Sequence, residues 1–162
     1  QMTTQPPRLL GPNSVREILR ADAEFRTSLG RRGRMAEFVD VAVDGFEFGG
    51  IDLSEVTVSN AVFTACRFIG ADLRYLRVST SLFKGVNFTG ASLVKASWFE
   101  TGFLGCVFSE ADLAKAEFRE CSLRQASFAR AVLTGAVVSG CDLTDAVFDH
   151  ADLESAYFKN SC

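Results

Sequence analysis

From Phe38 onward, every fifth residue of this chain is large and apolar. The series runs Phe38, Val43, Phe48, Leu53, Val58 and on without a break to Leu153 and Phe158. Apolar residues make up 48% of the chain, so an unbroken series of this length is not chance. A period of five fits neither a helix, at about 3.6 residues, nor a strand, at about 2. Two residues before each centre the side chain is nearly always small or moderate, as at Ala61, Cys66, Ala71, Cys106 and Ala111, with Phe46 and Leu76 as large exceptions. On an extended segment, residues two apart point the same way. Each five therefore reads as one short strand, with its large and small residue facing inward, followed by one corner.

A second period sets the number of sides. Leu53, Leu73, Leu93, Leu113, Leu133 and Leu153 recur at twenty residues, and so do Phe48, Phe68, Phe88, Phe108, Phe128 and Phe148. A third column runs Val43, Phe63, Phe83, Phe103, Leu123, Leu143, and a fourth, the most varied, runs Phe38, Val58, Val78, Trp98, Phe118, Val138, Phe158. Residues i and i+20 thus share an environment, and four fives complete one turn. With parallel neighbours about 4.8 Å apart, about six turns make a rod roughly 30 Å tall. Its stability should come from nearest-neighbour stacking, with the end turns weakest.

Ala71-Asp72-Leu73-Arg74-Tyr75, Ala111-Asp112-Leu113-Ala114-Lys115 and Ala151-Asp152-Leu153-Glu154-Ser155 resemble the A-(D/N)-L-x-x unit of pentapeptide repeat proteins. The resemblance covers residues 36–162. It implies an all-β fold, a right-handed quadrilateral parallel β-helix; the hand comes from the resemblance and the four sides from the period. The Asp at the second position recurs on one side at Asp52, Asp72, Asp112 and Asp152, interrupted by Ser92 and Val132. Such carboxylates accept backbone N–H bonds at their own corner; a cation site is the sharper alternative. Gly45, Gly50, Gly70, Gly85 and others stand at the fifth position, where a turn can use positive φ.

The head is different. Residues 1–13 read as a disordered N-terminus, with Gln1 before Met2 a cloning remnant. Residues 14–35 read as a capping helix and a basic connection. Ser14-Val15-Arg16-Glu17 has the form of a capping box, Val15, Ile18, Leu19 and Phe25 share one helical face, and Gly30 can end the helix. These predict a helix over about 15–28 that lies on the open end of the first turn and blocks edge-to-edge pairing. Arg31-Arg32-Gly33-Arg34 then leads into the repeat as a solvated linker, with a basic contact for a partner as the alternative. At the other end the repeat stops in register at Cys162; either a further segment or a second copy is expected to cover it.

Little in the chain suggests catalysis. The sole histidine, His150, sits at an outer corner, and no phosphate-binding glycine motif is present. Cys66, Cys106, Cys121 and Cys141 take the inward small position and read as packing residues. The five cysteines are odd in number and form no close C-x-x-C pair, so we expect no metal site and no cofactor. No secretion signal or membrane span is apparent, which fits reduced thiols in a cytoplasm.

The expected function is therefore non-enzymatic: a scaffold that binds a protein through its flat sides or its end. Val62, Leu82 and Leu104 are expected to face outward on one side in successive turns, with Phe99 near the adjoining corner. Val137, Val147, Tyr157 and Phe158 are the candidate self-association residues of a homodimer joined through the last turn. The body, residues 36–162, carries a net charge of −7 against +4 for the head, counted from the sequence. That sign argues against direct nucleic-acid binding by the body. Some members of the family mimic duplex DNA, bind DNA gyrase and confer quinolone resistance, so the resemblance implies gyrase binding as the alternative function.

Overall fold

The recurrence at twenty residues dictates that each short strand pairs in parallel with the strand one turn away. The computed structural model, which describes residues 5–162, has this arrangement: a four-sided parallel β-solenoid of about six turns with one short helix. Gln1 lies outside the described residues. In chain order the elements are β1 (Arg8–Leu10), α1 (Pro12–Thr27), β2 (Glu37–Val39), β3 (Val41–Asp44), β4 (Thr57–Ser59), β5 (Val62–Thr64), β6 (Arg77–Ser79), β7 (Leu82–Lys84), β8 (Ser97–Phe99), β9 (Gly102–Leu104), β10 (Glu117–Arg119), β11 (Val137–Ser139) and β12 (Tyr157–Lys159). Phe38, Val58, Val78, Trp98, Phe118, Val138 and Phe158 stand in register along one seven-stranded sheet. The third column forms a five-stranded sheet in the order β1-β3-β5-β7-β9. The Leu and Phe columns are joined by single bridges such as Asp52↔Asp72 and Arg67↔Asn87.

The columns pack as stacks. Phe48 and Phe68 lie with ring centres 4.5 Å apart and planes at 2°, and Phe108 stacks on Phe88 and on Phe128 at 4.9 Å each. Between columns the rings meet edge to face, as for Trp98 and Phe103 at 4.9 Å and 71°. Parallel offset stacking within a column and edge-to-face contact between columns both suit the ring quadrupole. Burial fades in the last turn, where Leu153 and Phe158 are exposed because no turn lies above them.

The corners come in two kinds. At every corner of the Leu and Phe columns the carbonyl of the central residue accepts the N–H three residues on, as in Ala91 N–H to Phe88 O and Ala96 N–H to Leu93 O, both 3.0 Å. We call these closed. At the corners after Phe63, Phe83 and Phe103, and throughout the fourth column, no such bond forms; these are open. In the third column the corner closes from Leu123 onward, with Ala126 N–H to Leu123 O at 3.1 Å, which is why its sheet ends at β9. Both kinds place their fifth residue at positive φ, from Asp40 at 58° to Asn160 at 50°. Glycine is the natural occupant. The solenoid nevertheless holds Thr80 at 49° and Lys95 at 58°.

The head covers the first turn as expected, but with different boundaries. Within the stretch expected to be disordered, Arg8–Leu10 forms β1, a parallel partner of β3. That strand satisfies an edge that the first turn would otherwise expose. The helix starts at Pro12, not at 15. Gly11 is its N-cap, no side chain caps it, and the Ser14–Glu17 capping box does not form, because Ser14 already lies inside the helix. Pro at the first helical position fits, since its missing N–H is one the helix leaves unpaired anyway. The helix ends with Gly30 N–H donating to Phe25 O and Leu29 N–H to Arg26 O, the double bond pattern of a Schellman motif. Val15 is buried, and Ile18 and Leu19 pack against the core. Asp22, 2% exposed, accepts Ala36 N–H at 2.8 Å and binds Arg26 at 2.6 Å. Arg26 in turn donates to Ser54 O at 2.7 Å, so the helix is latched to the first turn by both residues. Among the described residues no helix is long and apolar enough to cross a membrane.

Candidate protein-binding faces

Each side of the solenoid offers solvent the residue before the centre and the two corner residues after it. On the third-column side, Val62 and Leu82 stand in register on β5 and β7, both half-buried. The next residue in that row is Gly102, and an added Cβ there would meet Leu82 Cδ1 at 3.0 Å. Leu104 lies on the same side one turn on, outside the row of Val62 and Leu82. It aligns with Thr64 and Lys84 at the strand end, because it follows its centre where Val62 and Leu82 precede theirs. Phe99 ends β8 at the corner that leads into β9. The most exposed of the four are Leu104, at 57%, and Phe99, at 45%. They bracket Gly102 from the two corners of one side, leaving a low strip floored by glycine with Leu82 and Val62 below it.

In the last turns Val137 and Tyr157 are direct register partners on β11 and β12. Tyr157, Phe158 and Val147 are exposed and Val137 is half-buried. β12 is the outermost strand of its sheet.

Chemistry-bearing side chains turn out to serve the corners. Asp52, Asp72, Asp112, Asp142 and Asp152 each accept the N–H two residues on, at 3.0–3.2 Å, all at closed corners. The Arg74 guanidinium beside Asp72 holds its carboxyl below the usual carboxylate range. The buried thiols serve open corners. Cys66, Cys106, Cys121 and Cys141 each face two carbonyls, the central one of the preceding turn (Val43, Phe83, Trp98 and Phe118) and the one two residues back (Thr64, Leu104, Arg119 and Ser139); the central carbonyl is clearly the nearer only for Cys106, at 3.2 Å. Burial pushes the Cys106 thiol up to about 11, so it stays a donor. The neighbouring Cys141 thiol and burial raise the Cys121 thiol. No disulfide forms, and among the described residues no group of three His, Cys, Asp or Glu is placed to hold a metal ion.

A family model described as pentapeptide repeats matches residues 47–85, 100–125 and 126–162 in eight copies, well over half of the chain. The chain belongs to the pentapeptide repeat family. Among solved structures this pentapeptide repeat protein is similar to two trypsin-treated forms of QnrB1, a plasmid-mediated fluoroquinolone resistance protein. One matches at 24% identity and a TM-score of 0.68, over 79% of this chain and 67% of that one. The other matches at 23% identity and a TM-score of 0.57, over 79% of this chain and 70% of that one. HetL, a pentapeptide repeat protein involved in heterocyst differentiation regulation from the cyanobacterium Nostoc, matches at 16% identity and a TM-score of 0.39, over 86% of this chain and 92% of that one. The two QnrB1 likenesses bear on the fold alone. Among curated proteins none matches in sequence.

The surface of this pentapeptide repeat protein is mixed in charge. Arginines of the body pair with carboxylates: Arg67 with Glu47 at 3.5 Å, Arg119 with Glu117 at 3.3 Å, and Arg124 with Asp142 and Arg130 with Glu110 at 3.1 Å each. One feature lies outside the residues expected from the sequence, a groove of about 730 Å3 beside Met35, Tyr75, Arg77, Lys95, Lys115 and Glu117. Its signal was present: Tyr75, Lys95 and Lys115 recur at twenty residues and so share one corner row.

Proposed function

We propose that this protein is a non-enzymatic scaffold that binds a protein partner through a flat side of the solenoid. The observation that carries the reading is the pair of exposed apolar residues, Phe99 and Leu104, at the two corners of the side floored by Gly102. Large apolar side chains around a shallow strip are what a protein interface core uses. The interior supports the same reading, since it is filled by stacked rings and leaves no cleft for convergent polar groups. The test compares the parent with a Phe99→Glu, Leu104→Glu variant of equal melting temperature, each immobilised and offered purified DNA gyrase and host extract. Retention of a partner by the parent and its loss by the variant supports this side. Equal retention by both moves the interface elsewhere, and retention of nothing by either sinks the scaffold reading.

Gyrase comes first because of the family resemblance and the net acidity of the body. DNA mimicry, the alternative, needs carboxylates in a bare stripe, whereas arginines interrupt these, with Glu47, Asp72, Glu110, Glu117 and Asp142 each tied to one. Competition decides between the two. A DNA mimic is displaced from gyrase by duplex DNA, whereas binding through Phe99 and Leu104 survives it. A second copy is the proposed partner for β12, where Tyr157 and Phe158 are exposed, as is Val147 on another side of the same end. Light scattering on the parent and on Phe158→Glu tests it: a dimer that becomes a monomer supports the contact, and a parent monomeric at high concentration removes it.

A further inference from the structure

We propose that the groove between the Leu-column corner and the fourth-column side binds an acidic segment of a protein partner through Tyr75, Arg77, Lys95 and Lys115. The proposal rests on the scaffold reading and names a second surface with its own partner chemistry. Its starting point is an imbalance. In the body, Arg67, Arg74, Arg119, Arg124 and Arg130 each have a carboxylate within 4.0 Å. Among the described residues, Arg77, Lys84, Lys95, Lys115 and Lys159 have none, and three of these five cations line this one groove. Arg77 is thus the sole body arginine without an acidic partner. Its only side-chain hydrogen bond is a long one, 3.4 Å, to the Thr57 hydroxyl.

The geometry is that of a platform. Tyr75, Lys95 and Lys115 occupy the same corner position on three successive turns, so the row spans about 10 Å. Arg77 projects from β6 on the adjoining side. The Lys95 ammonium lies over the Tyr75 ring, 5.5 Å from its centre, which holds the charge in place and leaves the half-exposed ring as an apolar floor. An extended chain advances about 3.3 Å per residue, so three or four residues of a partner cover the row. Alternate side chains of such a segment point the same way and bring two carboxylates to the cations.

Charge limits the occupant to something short. Glu55 and Glu117 line the same groove, and the body around it is net negative. A nucleic acid or other long polyanion would run off the cations onto carboxylates, whereas a short acidic stretch of protein would not.

The test is fluorescence anisotropy of fluorescein-labelled hexaglutamate against the full chain. The variants are Lys95→Glu with Lys115→Glu, a milder Lys95→Gln with Lys115→Gln in case charge reversal disturbs folding, and Lys84→Glu with Lys159→Glu as a control of equal charge outside the groove. The expected result is saturable binding at about 50 mM salt that weakens at about 500 mM. Either groove variant should weaken it by at least about tenfold, and the control pair by less than about twofold. Equal losses in groove and control variants, absence of hexaglutamate binding, or tighter binding of oligo-dT than of hexaglutamate would each overturn the proposal. Because Phe99 and Leu104 lie outside the groove, any of those outcomes leaves the partner-retention test of the scaffold reading standing.

Discussion

The thiol of Cys106 lies 3.2 Å from the carbonyl oxygen of Phe83, the centre one turn back, and makes the bond that an open corner leaves unmade. The relation recurs without being universal. Ser161 faces Val138 O in the same way, Ser81 and Thr101 donate instead to the carbonyl two residues back, those of Ser79 and Phe99, and Ala61 and Val86 follow open corners with no side-chain donor at all. After closed corners the same position holds Ala71, Ala91, Ala111 and Ala131, whose own N–H has taken the carbonyl. The third column shows both states, with Cys66 and Cys106 after open corners and Ala126 and Ala146 after closed ones.

Serine should therefore be tolerated at one position and not at the other. Cys106→Ser keeps a donor facing a free acceptor and is expected to cost under about 1 kcal/mol. Ala111→Ser buries a hydroxyl beside an occupied carbonyl and is expected to cost about 1–3 kcal/mol. Urea melts of the two variants check this, and equal costs would refute the link between side chain and corner.

The Phe column sets the largest single term. Phe108 is fully buried between Phe88 and Phe128, and Phe108→Ala should cost about 3–5 kcal/mol. Ser109, the next residue, points outward, and Ser109→Ala should cost under about 0.5 kcal/mol. Denaturant melts that gave equal losses would mean the inward register is wrong.

The periods of five and twenty made the columns, the sides and the inward cysteines legible, because a solenoid repeats one local environment. What was not legible depends on longer or subtler relations. β1 exists only because Val41–Val43 offers it an edge thirty-odd residues away, which no local pattern in Arg8-Leu9-Leu10 announces. The capping box at Ser14 was outcompeted by Pro12, which set the first helical turn earlier. The groove at Tyr75 and Lys95 required the outward rows to be stacked as carefully as the inward ones.

Strain at the corners is testable at Thr80. A β-branched residue at φ 49° is costly, and no side-chain hydrogen bond offsets it. Thr80→Gly is expected to raise stability by about 1 kcal/mol, the left-handed penalty outweighing the greater entropy of glycine in the unfolded chain. A calorimetric melt that moved down would show that the Thr80 side chain is held by contacts worth more than the strain.

The latch between head and solenoid should fail when Asp22 is removed. Asp22→Ala strands the Ala36 N–H and takes from Arg26 its shortest ion pair. The expected cost is about 2–3 kcal/mol, at the lower end for a broken buried pair because Arg26 keeps some water and its bond to Ser54. Hydrogen exchange should quicken first in α1 and β2. Uniform quickening along all turns would mean that the helix does not open separately from the rod.

Acid should act through Asp142. The Thr144 hydroxyl and N–H, with Arg124 beside them, hold its carboxyl down to about 2, below the ordinary value of 3.8. A carboxylate lowered in the folded state stabilises fully above its unfolded pKa, and that contribution is lost as pH falls through the folded one. Parent and Asp142→Asn should thus differ in melting temperature by a constant amount above about pH 5, and the gap should close between about pH 4 and pH 2. Asparagine can still accept the Thr144 N–H, as Asn87 accepts that of Thr89 at 2.9 Å, so the variant isolates the charge from the corner bond. A gap that stayed constant down to pH 2 would show that the charge on Asp142, held by Thr144 and by an exposed Arg124, adds nothing to the fold.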